Sequence, residues 1–412
     1  MALRKEPLNG KLEGVFLFSH AKGNPMSKRT VRLPPALFIM AMLMMLALAL
    51  WGCGAKSEKA GPPLLTPSSP TNTKAVLTRI FISNENIDSM EELRLLSGDD
   101  SNIIADLIFV SENREVLVVH AFSGNVNRWR LQDSSVSHQI NLGPVSVPAT
   151  QFSPDGKWIA IAAGDTEPAL TAGLSVSMKG SKVFDVLKGE IIWQNVNNRN
   201  RWSTSYIDVA WNRNNTLLSS ITPNGFTLVD TQTWHSVNNY TWMIEDISGE
   251  SVVRLCTVAF DASSEWLLLG NTAGTLYAYE PYGIGIISWR SDVENCLLEA
   301  ESSPSNRYVA SIGTQDFVVW DVTKVNRWFS KDMHIQSKHS YTSAADLAFS
   351  PDGKLLAVGT KTMWQIWSVE EGELLKEHPQ GSYALAFSPD GRLFAWGDLE
   401  GNVHIWGIPD SQ

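Results

Sequence analysis

The chain has little charge and few residues with reactive side chains. Asp, Glu, Lys and Arg make up 18% of its 412 residues, and there are only three cysteines and eight histidines. The apolar fraction of 43% is enough to build a core and excludes an intrinsically disordered chain. Three cysteines exclude a disulfide-rich scaffold. The length leaves room for one large all-β domain or two ordinary domains.

Basic residues are scarce outside the N-terminal segment. The first 52 residues hold seven Lys or Arg and two Asp or Glu, which leaves 26 basic and 41 acidic residues and a net charge of −15 in the rest of the chain. A nucleic-acid partner needs a basic footprint, so this class of partner is excluded. The same charge argues against lying flat on an anionic membrane, and its simplest role is solubility.

The histidines and motifs predict no metal and no cofactor. No His pair has ligand spacing with a Cys or carboxylate partner; the eight are His20, His120, His138, His235, His334, His339, His378 and His404. Neither a Gly-rich phosphate loop nor a Gly-x-Ser-x-Gly motif follows a strand. The members of a catalytic triad lie far apart in a chain, so sequence spacing does not test for one.

The N-terminus has the pattern of a signal peptide. Lys28, Arg29 and Arg32 precede an uncharged segment, residues 36–51. That segment has 16 residues, fewer than the roughly 20 that a membrane-spanning helix needs.

A cysteine follows this apolar segment directly. The sequence Leu50-Trp51-Gly52-Cys53 resembles the lipobox of bacterial lipoproteins, in which the cysteine is lipidated. Leu50, Gly52 and Cys53 fit the pattern, whereas Trp51 occupies a position that usually holds a small residue. The resemblance implies an extracytoplasmic protein anchored to the bacterial membrane by a lipid on Cys53. An uncleaved anchor or an ordinary signal peptide are the alternatives.

These features divide the chain into four parts. Met26 stands just before the basic residues and is the expected start, which makes residues 1–25 an upstream extension. The signal peptide covers residues 26–52, and residues 53–77 hold the lipidated cysteine and a Pro/Ser-rich tether. Residues 54–74 of this tether, 21 residues at roughly 3.1 Å per extended residue, would reach about 65 Å. Residues 78–412 form the folded domain.

A strand that ends in an aromatic residue recurs along the folded domain. The first strand of each unit ends at Phe109, Phe152, Trp211, Phe260, Ser302, Phe349 and Phe387. The intervals are 43, 59, 49, 42, 47 and 38 residues. Strand–turn repeats with a period near 40–45 residues are typical of a β-propeller. The sequence therefore predicts an all-β fold with seven four-stranded antiparallel blades.

The turns and third strands identify the repeat. Ser-Pro-Asp-Gly turns follow Phe152, Phe349 and Phe387, and Asn214-Asn215 and Ser305-Asn306 take their place in weaker copies. Third strands end near Trp129, Phe184, Val229, Tyr279, Trp320, Trp367 and Trp406. Trp320-Asp321 is the pair that names the WD40 repeat, and residues 80–408 resemble that family. The resemblance implies a monomeric, non-catalytic scaffold for protein interactions.

Members of the WD40 family also carry a histidine near the start of each repeat. Only His339 and His378 lie at fitting distances before an aligned aromatic residue, and both are interpreted as structural.

The last unit lacks an outer strand, which predicts how the ring closes. It ends at its third strand, residues 403–408, and an open edge would be exposed to aggregation. Residues 81–98 look like the segment that precedes many bacterial WD40 arrays, and Leu93 and Leu95 alternate as in a half-buried strand. We therefore expect residues 90–97 to pair with residues 402–407.

Two cysteines remain in the domain, Cys256 and Cys296, in the first strands of neighbouring blades. Cys256 stands four residues before Phe260 and Cys296 stands six residues before Ser302, so the two lie on the same strand face but two residues out of step. We therefore expect two buried thiols rather than a disulfide, although an extracytoplasmic setting permits the bond.

A docking patch is predicted on one face of the propeller. An insertion at about 165–180 lies between the second and third strands of blade 2, and the loop into blade 3 holds Arg199, Arg201, Trp202 and Tyr206. Arg and Trp dominate interface hot spots. The alternative is a long loop with Trp202 packed against its own blade.

Two other functions compete with the scaffold interpretation. A propeller lactonase or dehydrogenase would gather acids at the channel, where Asp106, Asp208, Asp346 and Glu299 are candidates. A cell-surface lipoprotein that binds a glycan or peptide would show the same sequence features as a scaffold. An outer-membrane assembly lipoprotein is a further alternative, but seven units with Ser-Pro-Asp-Gly turns speak against close kinship with that family.

Overall fold

The computed structural model describes residues 78–143, 150–163, 180–195, 208–222, 225–241, 244–245, 252–281, 286–290, 296–313, 316–322, 326–332 and 346–410. The signal peptide, Cys53 and the tether lie outside these residues. So do the insertion of blade 2, the loop that holds Trp202, and His339.

Seven four-stranded antiparallel sheets form the blades, as the repeats predict. Blade 7 takes its outer strand from the N-terminus, β1 (Glu91–Leu96). Blade 1 comprises β2 (Ile104–Val110), β3 (Glu115–His120), β4 (Asn125–Arg130) and β5 (Ser135–Asn141). Blade 2 comprises β6 (Thr150–Phe152), β7 (Trp158–Ala163), β8 (Gly180–Asp185) and β9 (Ile191–Asn195). Blade 3 comprises β10 (Asp208–Trp211), β11 (Leu217–Thr222), β12 (Gly225–Asp230) and β13 (His235–Thr241).

The remaining blades follow in chain order after a short hairpin of β14 (Ile244–Glu245) and β15 (Val252–Val253). Blade 4 comprises β16 (Leu255–Phe260), β17 (Leu267–Asn271), β18 (Thr275–Tyr279) and β19 (Ile286–Arg290). Blade 5 comprises β20 (Glu299–Ser302), β21 (Tyr308–Ile312), β22 (Asp316–Asp321) and β23 (Asn326–Asp332). Blade 6 comprises β24 (Asp346–Phe349), β25 (Leu355–Gly359), β26 (Trp364–Ser368) and β27 (Leu374–His378). Blade 7 adds β28 (Leu385–Phe387), β29 (Leu393–Gly397) and β30 (Val403–Gly407) to β1.

The first strands of the seven blades surround a central channel. Each contacts the first strand of the next blade, and β28 contacts β2, so the ring is closed. The second strands are the most buried, as in β17, β25 and β29, where every residue is buried. The core therefore lies between the blades rather than along the channel.

Two faces of the ring differ in their connections. The turn face carries the turns from first to second strand and from third to fourth strand of each blade. The loop face carries the turns from second to third strand and the loops from one blade to the next. Among the described residues, one short 3₁₀ helix is present, Ile87–Ser89, and no helix is long and apolar enough to cross a membrane.

The repeated turns on the turn face share one hydrogen-bond pattern. In blade 6 the Ser350 hydroxyl donates to Asp352 at 2.7 Å and accepts from the Leu355 N–H at 2.9 Å. Gly353 closes the turn with a φ of +72°, which a glycine adopts without strain. Asn215 and Asn306 hold the same position in blades 3 and 5 with φ of 57° and 56°. Asn tolerates this left-handed conformation better than most residues, which explains the weaker copies of the turn.

The ring closes through the N-terminal strand, as predicted. β1 pairs antiparallel with β30, from Glu91 opposite Gly407 to Leu96 opposite Val403. The expected alternation of Leu93 and Leu95 is wrong. The pairing register shifts between Glu92 and Arg94, so Leu95 is 45% exposed and Leu96 is only 1% exposed.

The residues that precede β1 cross the turn face. The Thr78 hydroxyl donates to the carbonyl of Ile408, and the Ile82 N–H donates to the carbonyl of Gly391 at 2.9 Å. Ile82, Ile87 and Met90 are buried against blades 6 and 7. The chain therefore enters the propeller on its turn face.

Candidate functional site

Acidic side chains line the channel near its loop-face end. Asp106, Asp208, Glu299 and Asp346 lie in the first strands of blades 1, 3, 5 and 6, and Glu301 lies two residues after Glu299. Their neighbours Leu107, Val209 and Leu347 are buried between the blades, since side chains alternate along a strand. The acidic side chains keep partial contact with solvent, although strands from several blades surround them.

Most of these carboxylates join one blade to the next. Each accepts a hydrogen bond from a backbone N–H in the first strand of the following blade. Asp106 accepts from Phe152 at 2.6 Å, Asp208 from Val258 at 2.9 Å, Glu301 from Phe349 at 2.9 Å, and Asp346 from Leu385 at 2.5 Å. At the junction of blades 2 and 3, the amide oxygen of Gln151 accepts from the Trp211 N–H at 2.8 Å. We call these five contacts the blade latches.

The blade latches give most of the channel acids a structural role. Sequence reasoning missed two of the five latch residues. Gln151 and Glu301 were not selected as candidate residues, whereas Asp106, Asp208 and Asp346 were considered only as catalytic acids. All five stand one or three residues before the aligned end of a first strand, a spacing that places them on the same strand face. This position is the signal that could have identified the latches.

Burial raises the pKa values of the channel acids, because the surrounding protein disfavours the charged form. It raises the pKa of Asp106 and of Asp208 to about 7, although backbone N–H donors partly offset it. The pKa values of Glu301 and Asp346 rise to about 8, with neighbouring acids adding to the effect of burial. Burial, and then the charges of Asp346 and Asp208, raise the pKa of Glu299 well above its ordinary value.

A disulfide joins blades 4 and 5. Cys256 and Cys296 are bonded, with their Cα atoms 6.3 Å apart, so the expectation of two buried thiols is wrong. Two local features defeated it. Cys256 lies at the register shift between Leu255 and Thr257, and Cys296 precedes β20, outside the regular alternation of the strand. The bond crosses a junction for which no carboxylate or amide latch is found among the described residues.

Removing this disulfide is expected to destabilise the ring by about 2–4 kcal/mol, because the bond closes a loop of 40 residues in the unfolded chain. The double variant Cys256→Ser/Cys296→Ser should melt at a lower temperature than the wild type, and a reducing agent should lower only the wild-type melting temperature. Equal melting of the oxidised wild type and the double variant would contradict this.

The structure shows no metal centre in the part of the chain it describes, since no three His, Cys, Asp or Glu side chains are placed to bind one ion. Three of the four carboxylates that were candidates for catalysis, Asp106, Asp208 and Asp346, are engaged by backbone donors. This arrangement can hold the ring together and gives the loop-face end of the channel an acidic lining.

The predicted docking residues Arg199, Arg201, Trp202 and Tyr206 lie outside the described residues. The strand ends that flank their loop and the insertion of blade 2 are described. Ala163 pairs with Gly180, and Ser181 pairs with Asn195, so both segments leave the blade on the loop face. The docking patch stays a prediction.

The residues selected as repeat markers lie at matching places in the blades. Phe152, Trp211, Phe260, Phe349 and Phe387 end the first strands, and Phe109 is the last residue but one of β2. Trp320, Asp321, Trp367 and Trp406 lie at or near the ends of the third strands. His378 ends β27, where its ring stacks on Trp364 at 5.1 Å and lies 5.2 Å from Trp396. These are packing contacts between blades 6 and 7.

One segment of the chain matches a known family. Residues 371–407 match the model described as WD domain, G-beta repeat. No curated protein matches the chain. The matched WD repeat begins before β27 and ends with β30, so it combines the outer strand of blade 6 with three strands of blade 7. Because the matched segment stops at the third strand of blade 7, the fourth strand of that blade is supplied by β1.

Proposed function

We propose that the protein is an extracytoplasmic interaction scaffold, anchored to the bacterial membrane by a lipid on Cys53 and binding a protein partner on the loop face of its propeller. The WD repeat and the seven-bladed fold suggest a module for protein interactions. Function depends on a site rather than on a fold, so the argument rests on what each face presents.

The position of the N-terminal segment supports this arrangement. Arg79 donates its N–H to Asp410 at 2.9 Å, and Ile82 donates to Gly391, both on the turn face. A tether that ends at residue 77 therefore joins the propeller on the turn face. The loop face, which receives the insertion of blade 2 and the loop into blade 3, is then free to meet a partner. This separation of the attachment point from the loops is the observation that carries the proposal.

The channel acids favour binding over catalysis. The carboxylates of Asp106, Asp208, Glu301 and Asp346 are all used as hydrogen-bond acceptors by the next blade. A group that must hold the ring closed is poorly suited to move a proton during a reaction.

The first test is capture of partners from the native membrane in mild detergent, with identification by mass spectrometry. The triple variant Arg199→Ala/Arg201→Ala/Trp202→Ala should lose at least about tenfold of the captured partner, because hot-spot residues contribute about 2 kcal/mol or more each. A matched variant on the turn face, Arg213→Ala/Gln232→Ala, should capture as much as the wild type. Both variants should melt at the wild-type temperature.

Lipid attachment is measured on the same proteins. The wild-type protein should incorporate a labelled fatty acid and Cys53→Ala should not, since the lipid is proposed to be attached to this cysteine. Partner capture that survives the triple variant would refute the loop-face site. A Cys53→Ala protein that incorporates as much of the labelled fatty acid as the wild type would refute the lipid anchor.

A further inference from the structure

A polar pocket of about 560 Å³ opens on the loop face of blade 1, a size that suits a small molecule. Its walls come from the connection between β1 and β2, the turn between β3 and β4, and the strands β4 and β5. The side chains that give it its chemistry are Asp99, Asp100, Asn102, Asn125, Asn127 and Gln139. Trp129, which packs against Gly98, forms the apolar part of the wall.

Asp100 organises the loops around this pocket. Its Oδ1 accepts from the Asn102 N–H at 3.0 Å and from the Asn102 amide at 2.6 Å. Its Oδ2 accepts from the Ser123 hydroxyl at 2.5 Å and from the Asn125 amide at 2.7 Å. Burial alone would raise the pKa of Asp100, but these donors lower it to about 2. Both oxygens are engaged, so Asp100 holds the pocket in shape.

One hydrogen-bond acceptor in the pocket is buried without a partner. The carbonyl of Asn102 lies 3.1 Å from His120 Nδ1, and a carbonyl can only accept, so Nδ1 carries the hydrogen. In the neutral imidazole, His120 Nε2 is then an acceptor, and the Asn127 amide nitrogen donates to it at 3.3 Å. This fixes the orientation of the Asn127 amide. Its Oδ1 is left without a hydrogen-bond partner on a side chain that is 3% exposed.

The chemistry of the lining selects the class of ligand. No cationic side chain lines the pocket and two carboxylates do, which disfavours an anion. A bound Ca²⁺ needs six or more oxygen ligands, usually with several carboxylates, and Asp100 is already saturated. Amide side chains both donate and accept, as hydroxyl groups do. A neutral ring that carries several hydroxyl groups satisfies both the amides and the unpartnered oxygen.

We propose that this pocket binds a neutral saccharide, with a sugar hydroxyl donating to Asn127 Oδ1. A free monosaccharide and a sugar unit within a polysaccharide share this chemistry. This site shares no residue with the proposed docking patch, and its test does not depend on a protein partner.

The test is ligand-observed NMR and calorimetry on the full-length protein, held in a detergent without a sugar head group. The probes are glucose, N-acetylglucosamine and the β-1,4-linked tetramer of each. Asn127→Leu should weaken binding about tenfold, as expected for the loss of a buried hydrogen bond to a ligand hydroxyl. Gln139→Ala, at an exposed position of the lining, should weaken it less.

Gln365 provides a matched control, because it occupies the same third-strand position in blade 6. It is buried like Asn127, yet its amide donates to Glu377 at 2.6 Å and its oxygen accepts from the Trp367 indole at 3.3 Å. Gln365→Leu should therefore leave sugar binding unchanged. Melting curves of both Leu variants separate loss of the site from loss of the fold.

Several outcomes would overturn the proposal. They are the absence of saccharide binding by the wild type, equal binding by Asn127→Leu, and binding of Ca²⁺ that Asn127→Leu abolishes in place of sugar binding. Tighter binding of a tetramer than of its monosaccharide, still sensitive to Asn127→Leu, would support a polysaccharide as the source. Equal binding of the two would support a free sugar.

Discussion

Deleting residues 80–98 is expected to abolish the cooperative unfolding of the propeller. The deletion removes β1 and leaves the edge of β30 unpaired over its whole length. It also removes four buried apolar side chains, Ile82, Ile87, Met90 and Leu96. Burial of side chains of this size contributes about 1.5–3 kcal/mol each. Their sum, about 6–12 kcal/mol, is on the scale of the whole stability of a folded domain, about 5–15 kcal/mol.

The measurement is thermal unfolding followed by circular dichroism and calorimetry. A deletion of equal length in the tether, residues 54–72, is the control and should leave the transition unchanged, because these residues precede the propeller. A sharp transition at the wild-type temperature in the 80–98 deletion would show that the ring closes without β1.

A single substitution tests the same strand in a protein that still folds. Leu96→Ala should lower stability by about 2–5 kcal/mol, since it opens a cavity at a side chain that is 1% exposed. Leu95→Ala, one residue away and 45% exposed, should change it by less than about 0.5 kcal/mol. Equal effects of the two would mean that the register of β1 differs from the one described.

Local sequence patterns predicted the blades because the signals of a propeller are local. The Ser-Pro-Asp-Gly turns fix each hairpin through contacts within five residues, as between Ser350 and Leu355. The closing strand was also predictable, because blade 7 ended one strand short. The exposure of Leu95 was not predictable, since a register shift in the pairing of β1 changes which side chains are buried after it and no sequence pattern indicates that shift.

The position of each latch residue could be found from the sequence, but the residue that it bonds in the next blade could not. Asp346 bonds a residue 39 positions later and Gln151 bonds one 60 positions later, and these distances follow the variable length of each repeat. The same variation hid the disulfide, because Cys296 lies outside a regular strand. The pocket of blade 1 depends on the orientation of one amide, Asn127, which three-dimensional hydrogen bonding alone decides.

The blade latches are expected to make the protein more stable at pH 5.5 than at pH 8.5. In the unfolded chain the channel carboxyls lose their protons near pH 4, whereas in the folded ring the pKa values of Asp106, Asp208, Glu301 and Asp346 lie at about 7 to 8. Between these limits the folded state binds more protons than the unfolded state. Stability therefore falls as pH rises from about 4 to about 8.

The closing strand acts in the same direction. His404 of β30 lies 2.5 Å from Glu92 of β1 and 3.2 Å from Asp398. Burial lowers the pKa of His404, but the two carboxylates outweigh it and raise the pKa above its ordinary value. The stability from this contact is complete below about pH 6.5, the pKa of an unfolded His, and is lost as pH rises through the folded pKa.

Other carboxylates set the lower limit of the stable range. Hydrogen bonds outweigh burial at Asp100 and Asp398 and lower the pKa of each to about 2. The stability from these groups is present above about pH 4 and is lost as pH falls toward 2. Maximum stability is therefore expected near pH 4, above which the channel acids lose stability and below which Asp100 and Asp398 lose it.

Glu301→Gln isolates the contribution of one latch. Its amide oxygen can still accept from the Phe349 N–H, which donates to Glu301 at 2.9 Å, but the side chain no longer ionises. The variant should melt near the wild-type temperature at pH 4 and at least roughly 2–4 °C above it at pH 8.5, which corresponds to about 1 kcal/mol or more. The exposed Glu265→Gln is the control and should follow the wild type at both pH values. A Glu301→Gln protein that also follows the wild type at both would mean that Glu301 is ionised in the folded ring at neutral pH, and that the latch between blades 5 and 6 is an ordinary charged hydrogen bond.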